Sequence, residues 1–266
     1  MTPIADATVE QLRGIRAVLT DIDDTLTLHG KLPAIALQAM EQLQESGLLV
    51  IPVTGRPAGW CDHIARMWPV AAVVGENGAF TFRYDGTTKK MIRDYAQDAK
   101  TRSDNTRKLF TLADGVLKEF PGTAIASDQA YREIDVAIDF CEDVEALPLA
   151  TAQQIARRFE QAGAVAKVSS IHVNAWFGAH DKLTAAKQLL NASFGFSENE
   201  LPAAIAYCGD SPNDAPMFGF FPLSVGVSNV LPYISIMDHA PQFVTMAEGG
   251  LGFAEFAALL LAARGK

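Results

Sequence analysis

Asp21-Ile22-Asp23-Asp24-Thr25-Leu26-Thr27 follows directly on the apolar run Ala17-Val18-Leu19, and few architectures accommodate that junction. A short aliphatic and β-branched run reads as a strand buried on both faces, as in a parallel sheet. Carboxylates at its carboxyl end then project into the crevice where open α/β sheets bind ligands. Three acids within four positions repel one another unless a positive charge sits among them, and a divalent cation is the simplest candidate. The plainer reading of this segment alone is a polar strand-to-loop junction in which Asp24 or Thr25 caps a turn. The rest of the chain argues against it.

The first third alternates strand and helix signals. Pro33 opens a helix with Ile35, Ala36, Ala39, Met40 and Leu43 at helical spacing, and Gly47 stops it. Leu48 to Val53 reads as a second buried strand that ends at Thr54-Gly55-Arg56-Pro57. A helix from about Pro57 to Trp68 and a strand over Ala71 to Val74 follow, ending at Gly75-Glu76-Asn77-Gly78. This βαβαβ order implies a parallel sheet with right-handed crossovers. The last third resumes the rhythm. A helix begins at Lys182, a strand over Ala204 to Cys208 ends at Gly209-Asp210-Ser211-Pro212-Asn213-Asp214, another strand covers Leu223 to Val227, and Gly252 to Ala263 closes the chain as a helix.

The middle differs. Ile134-Asp135-Val136-Ala137-Ile138-Asp139-Phe140 keeps strict period two, which predicts a half-exposed antiparallel strand, and Val168 to Trp176 reads as a second one. Helical stretches fall near 103–119 and 151–162. The expected fold class is therefore α/β, a doubly wound parallel sheet with an inserted α+β domain. The expected division assigns 1–83 and 178–266 to the core and 84–177 to the insertion.

Four loops at strand ends or helix starts each bring a group suited to phosphoryl transfer. Asp21 and Asp23, two apart on extended chain, lean the same way. One can attack phosphorus while the other donates and later accepts a proton. Thr54 offers a hydroxyl and Gly55 a backbone amide to a phosphate oxygen, Lys182 neutralises transition-state charge, and Asp210 and Asp214 complete an oxygen-ligand site for Mg²⁺. Each has a plainer reading. Thr54 alone is a strand-end residue, Lys182 has Lys167 and Lys187 as rivals, and Asp210 and Asp214 can cap the helix after them. Arg56 binds a substrate anion or pairs with a structural carboxylate, and Asn77 serves a turn. His172 and Asn174, with Arg132 and Glu133, are the polar groups of the insertion that would face substrate. Their plainer reading is the exposed face of a half-buried sheet. Trp60 and Trp176 are expected to pack.

Taken jointly, these residues resemble the haloacid dehalogenase (HAD) superfamily of phosphohydrolases. The DxDx[TV] motif matches Asp21, Asp23 and Thr25, the strand-end Thr matches Thr54, the Lys matches Lys182, and GDxxND matches Gly209 to Asp214. The resemblance implies a HAD-like Rossmann-type core with an aspartyl-phosphate formed on Asp21. It makes Asp23 general acid and then base, and assigns the phosphoryl group to Thr54 and Lys182. Mg²⁺ would be held by Asp21, Asp23 through its carbonyl, Asp210, Asn213 and Asp214. An insertion between the second and third motifs is the placement of a C2 cap. With Asn77-Gly78 and the GDSPND form, the chain is most similar to the IIB branch, which holds sucrose-phosphate, mannosyl-3-phosphoglycerate and trehalose-phosphate phosphatases and also phosphomannomutases. Position 24 departs from the family, with Asp where many members carry Gly. The expected function is removal of phosphate from a small phosphorylated metabolite, a sugar phosphate. A phosphomutase is the nearest alternative, and a receiver-type phospho-acceptor, lacking so long an insertion, a remoter one.

Composition bounds the partners. A formal charge of −9 over 266 residues, with no basic block or stripe, argues against nucleic acid. Cys61, Cys141 and Cys208 have no CxxC spacing and read as buried reduced thiols. No basic-then-apolar leader and no apolar run of membrane-spanning length is seen, so the expected compartment is the cytoplasm. The expected assembly is a monomer or small homo-oligomer.

Overall fold

The aliphatic runs become the strands of a parallel sheet in a computed structural model that describes residues 1–265. From the N-terminus come β1 (Thr2–Pro3), β2 (Ala17–Thr20), β3 (Leu49–Pro52), β4 (Val73–Gly75), β5 (Phe80–Asp85) and β6 (Lys90–Tyr95). The middle of the chain adds β7 (Ala124–Ile125), β8 (Val136–Asp139), β9 (Val165–Val168) and β10 (His172–Trp176). The last third adds β11 (Ile205–Gly209), β12 (Leu223–Gly226) and β13 (Phe243–Val244).

The core sheet has the order β1-β13-β12-β11-β2-β3, parallel throughout, and a bridge from Val53 to Val74 brings β4 alongside β3. The chain winds one way from β2 to β3 and the other way through β11 and β12. The switch point therefore lies between β2 and β11, where such sheets leave a ligand crevice. Thr20 pairs with both Pro52 and Cys208, so the loops after β2, β3 and β11 leave the sheet at one level.

Period two along each strand sends neighbours to opposite faces, and both faces are covered. Val18, Val50, Ala206 and Val225 pack against Met40, Leu43, Ile64, Phe253 and Phe256 from the helices Ala34–Glu45, Ala58–Met67 and Gly249–Ala263. Leu19, Ile51, Ile205 and Tyr207 face Leu189, Leu190, Met217 and Phe218 from the helices Lys182–Phe194 and Ala215–Phe220. Each fully buried Leu or Phe here contributes about 1.5–3 kcal/mol by leaving water. Ile35, read as part of the inward stripe, is instead exposed. Cys61 and Cys208 are buried as expected, whereas Cys141 is only half-buried.

The inserted segment has its own core. The sheet β7-β8-β10-β9 is antiparallel, and Val136, Ile138, Val173 and Ala175 pack under Leu109, Val116, Ile155 and Phe159 of the helices Ala99–Glu119 and Leu149–Gln161. The period-two strand is not half-exposed as expected, because Ile134 to Phe140 are all buried. Of its polar residues, Asp135 is turned against the core domain, where its N–H meets Glu76, and Asp139 accepts the N–H groups of Cys141, Glu142 and Asp143 in the following turn. The stretch 168–176 is likewise two strands, β9 and β10, joined by a turn in which Ser169 donates its backbone N–H to the His172 carbonyl at 2.9 Å. The hairpin β5-β6 pairs with β4, and Phe80 and Phe82 lie in the main core, so position 84 falls inside β5. Among the described residues no helix is long and apolar enough to cross a membrane.

Candidate active site

Asp21 is the first residue beyond β2, and its backbone N–H donates to Cys208 of β11 at 2.9 Å. Across the crevice Lys182 opens its helix, whose N-cap Asp181 accepts from the Thr184 N–H. Lys182 Nζ donates to Asp21 Oδ1 at 2.9 Å and to Asp214 Oδ1 at 2.8 Å. Gly78 makes this approach possible, because a Cβ there would stand 2.2 Å from the Asp181 carbonyl oxygen. Its φ of +103° independently favours glycine.

Asp214 is occupied on both oxygens. Oδ1 also accepts from the Tyr207 hydroxyl, and Oδ2 accepts the N–H groups of Asp210 at 3.0 Å and Ser211 at 3.2 Å. Gly209 is required there, since a Cβ would lie 2.5 Å from Asp214 Oδ2. Asp210 takes one bond from Thr25 Oγ1 at 3.0 Å and a longer one from Asn229 Nδ2 at 3.4 Å. Asn229, which no motif pointed to, also donates to the Asp24 carbonyl and accepts from the Gly249 N–H, tying three loops together.

Asp21, Asp210 and Asp214 can each place an oxygen within 4.8 Å of the others, and all three are buried. One lysine faces three acids, so the cluster is under-compensated. Burial raises Asp21 to about 7, against the pull of Lys182 and with the help of Asp214. Burial also lifts Asp210 well above the usual carboxylate range, aided by Asp21 and Asp214. Burial would lower Lys182, but Asp21 and Asp214 outweigh it and hold the ammonium above its ordinary value.

Asp23 does not join that cluster. Its carboxylate pairs with Arg56, which donates Nε to Oδ1 at 2.9 Å and to Oδ2 at 3.0 Å. Arg56 Nη2 also reaches Glu142 Oε1 at 2.7 Å, and Nη1 lies 3.4 Å from Asp128 Oδ2. Of the two roles read for Arg56, the guanidinium thus takes carboxylates of the protein itself. Thr54 is buried and its Oγ1 accepts from the Arg56 N–H at 3.0 Å. Arg132 Nη1 donates to the Gly55 carbonyl at 2.8 Å while pairing with Asp128 and Asp135.

The residues weighed on the insertion face the core at this seam. His172 Nε2 lies 2.9 Å from Glu142 Oε2, and Asn174 Nδ2 donates to Asp135 at 2.9 Å. Burial opposes ionisation of Glu142, but hydrogen bonding to His172 and Arg56 outweighs it and lowers the group to about 2. Asn213, buried, accepts from Ser211 Oγ. Asn77 is buried with φ +55°, preceded by Glu76 at +41°. Asp24, the departure at that position, adopts φ +54° where glycine would be at ease, and burial followed by Asp23 raises its carboxyl. Trp60 does not pack inward; it is 42% exposed, with the Arg56 guanidinium 4.4 Å over its ring.

Sequence reasoning missed Glu76. Its buried carboxylate accepts the N–H of Ala58 and three more from Glu133, Ile134 and Asp135, pinning the insertion to the core. Burial raises it to about 8, with Asp135 adding to the shift. Its place between two glycines in Gly75-Glu76-Asn77-Gly78 is the only signal the sequence carried.

Comparison with known proteins agrees with this architecture. Residues 18–114 match the family of haloacid dehalogenase-like hydrolases. No curated protein matches the sequence. A Thermoplasma acidophilum protein superposes with a TM-score of 0.69 at 18% identity, covering 93% of this chain and 98% of that one. The sucrose-phosphatase of Synechocystis sp., solved with sucrose and phosphate, gives 0.63 at 19% identity, over 93% and 98% of the two chains. A haloacid dehalogenase-like hydrolase from Bacteroides thetaiotaomicron gives 0.61 at 16% identity, over 92% and 98%. The chain is thus similar to haloacid dehalogenase-like hydrolases over residues 18–114, and its whole length shares the fold of these solved structures.

Proposed function

We propose that the protein is a Mg²⁺-dependent phosphohydrolase that removes phosphate from a small phosphorylated metabolite, a sugar phosphate, through a phosphoenzyme on Asp21. The observation that carries this reading is the state of Asp21. Lys182 holds one oxygen, and among the described residues the other accepts no hydrogen bond, so the carboxylate is oriented without being used up. A nucleophile needs that combination. Lys182 also balances charge on the equatorial oxygens, and Thr54 with the Gly55 amide lies on the adjoining strand end.

The donor set fits Mg²⁺, a hard cation that takes oxygen ligands and keeps several waters. Asp214 is saturated by four hydrogen bonds, so Asp21 and Asp210 would hold the ion, with Asp214 fixing the loop and Lys182. Bound there, it would neutralise the surplus acids and polarise the phosphoryl oxygens. Asp23, held by Arg56 at the mouth of the crevice, takes the proton from the attacking water. To act first as acid it must loosen from Arg56 as the leaving group arrives. The inserted segment beyond the β5-β6 hairpin acts as the cap, covering the loops and excluding water. Of the arginines a mutase would draw on, Arg93, Arg102, Arg107, Arg132 and Arg158 each face a carboxylate, which disfavours that alternative, while Arg157 takes no ion pair among the described residues.

Phosphate release from a panel of sugar phosphates and related metabolites, with and without Mg²⁺, tests the reading. Release that requires Mg²⁺ is expected. Release unaffected by chelation, or none from any member, contradicts it.

A further inference from the structure

The helix Gly249–Ala263 lies on the outside of the molecule, yet it has no polar face. A surface helix normally turns charged side chains to water. Here the one charged residue is Glu255. Its carboxylate is turned back on its own chain, where it accepts the N–H groups of Met246 and Ala247 at 3.0 to 3.1 Å. Phe253, Phe256 and Leu260 point into the core, which leaves Leu251, 42% exposed, with Ala254 and Ala258 on the outer side. The helix Ala34–Glu45 packs alongside and extends that side with Ile35, 46% exposed. Between the two helices lie two cavities of about 520 Å³ each, which share Gln42 and Ala258 and so form one trough. Beside it stands Met246, 82% exposed, more than any other large apolar side chain among the described residues.

We propose that this trough is the interface of a homodimer, in which the face of one copy packs on the same face of a second about a two-fold axis. Charge selects the occupant. The chain carries −9 overall, so two copies meeting at an ordinary face set like charges against each other. No Lys or Arg lines the trough, and its polar side chains are the neutral Gln38, Gln42 and Ser46, apart from Glu45 at one end and the occupied Glu255. An acidic partner or an anionic lipid surface finds no cations there, and a basic partner finds almost no free acid. A second copy brings a neutral apolar face to a neutral apolar face, and charge-poor centres mark such contacts. The surface also holds both halves of a fit. Met246 stands out beside a hollow lined by Ala39, Ala254 and Ala258, and in a two-fold contact each copy offers its knob to the other's hollow. Area sets the strength. Helices of 15 and 12 residues, about 20 Å long and packed about 10 Å apart, offer roughly 500 Å² per copy, at the lower end of specific interfaces. The dimer is therefore reversible, with a Kd on the order of micromolar.

The test is the mass of the full-length protein by sedimentation, over a concentration series spanning the micromolar range. The wild type is expected to pass from monomer to dimer. Leu251→Glu and Ala258→Glu each put a new charge in the trough and should weaken association by about tenfold or more. Met67→Glu replaces another exposed apolar side chain, outside the trough, and should leave association unchanged. A second readout needs no variant: amide hydrogen exchange over 251–262 should slow as the wild-type concentration rises. A wild type that stays monomeric throughout overturns the proposal, as does a dimer that both trough variants leave intact or slowed exchange confined to another surface. Monomers that bind phosphatidylcholine vesicles, and lose that binding in Leu251→Glu, would assign the face to a lipid surface and overturn the dimer.

Discussion

Two charged clusters sit side by side in this molecule, and they are balanced in opposite ways. At the end of β2 and β11, Asp21, Asp210 and Asp214 share one lysine, and burial drives the first two toward the protonated form. A few residues along, Arg56 gathers Asp23, Asp128 and Glu142 into direct ion pairs, and Glu142 falls to about 2. The first cluster carries surplus negative charge, as the proposed cation site would; the second is balanced within the protein. Surplus buried charge marks where an ion and a substrate are to act, whereas matched charge marks where two domains are held together.

The largest effect is expected at the nucleophile. Asp21→Asn keeps the shape and removes the attacking charge, so turnover should fall by on the order of 10³-fold or more, as initial rates of phosphate release would show. Residual activity near wild type would place the chemistry elsewhere.

Lys182→Ala should come next, as a loss of stability. It strips the Lys182 ammonium from a cluster of three buried acids, and breaking such a group costs about 3–5 kcal/mol. Urea unfolding should show that loss, and Mg²⁺ should restore part of it. A variant as stable as wild type would mean the acids are already neutral.

The pH dependence separates the clusters by sign. Asp21 is raised in the folded state, so its contribution is fully present below its unfolded value near 3.8 and is lost as pH rises through about 7. Glu142 is depressed, so its contribution is present above its unfolded value near 4.5 and is lost only as pH falls toward about 2. Glu76, raised to about 8, adds to the alkaline loss but lies outside the cation cluster. Thermal melts from pH 5 to 9 should therefore show stability falling with pH, less steeply with Mg²⁺ present. An equal slope with and without the ion would break the comparison.

Glu142→Gln is the mildest test. It removes one of three acids on Arg56 from a side chain 27% exposed, and about 1–2 kcal/mol of stability should go. The Mg²⁺ response should be untouched, since Glu142 takes no part in the first cluster. A lost Mg²⁺ response would show that the two clusters act as one.

The first cluster was legible because its residues follow strands whose aliphatic runs are unmistakable. Asp21, Thr54 and Asp210 each stand at such an end, and a parallel sheet brings those ends together whatever lies between. The second was not. Asp128 and Glu142 come from turns flanking β8 with no periodicity, and their meeting with Arg56 depends on how the inserted domain docks. The alternation over 134–140 was read correctly as a strand, but the alternation cannot say whether the polar face meets water or another domain. Asp135 meets the core domain, and Asp139 is used up by the turn that follows it. Glu76 was hidden for a related reason, because its partners are backbone amides, which leave no mark in sequence.

The most direct test is to stop the reaction with acid during turnover and locate phosphate on the chain by peptide mapping. Phosphate on the peptide at Asp21, absent in Asp21→Asn and building up when Asp23→Asn slows its hydrolysis, is the predicted result. Turnover with no phosphate on Asp21 under those conditions, or phosphate on another residue, would contradict the account.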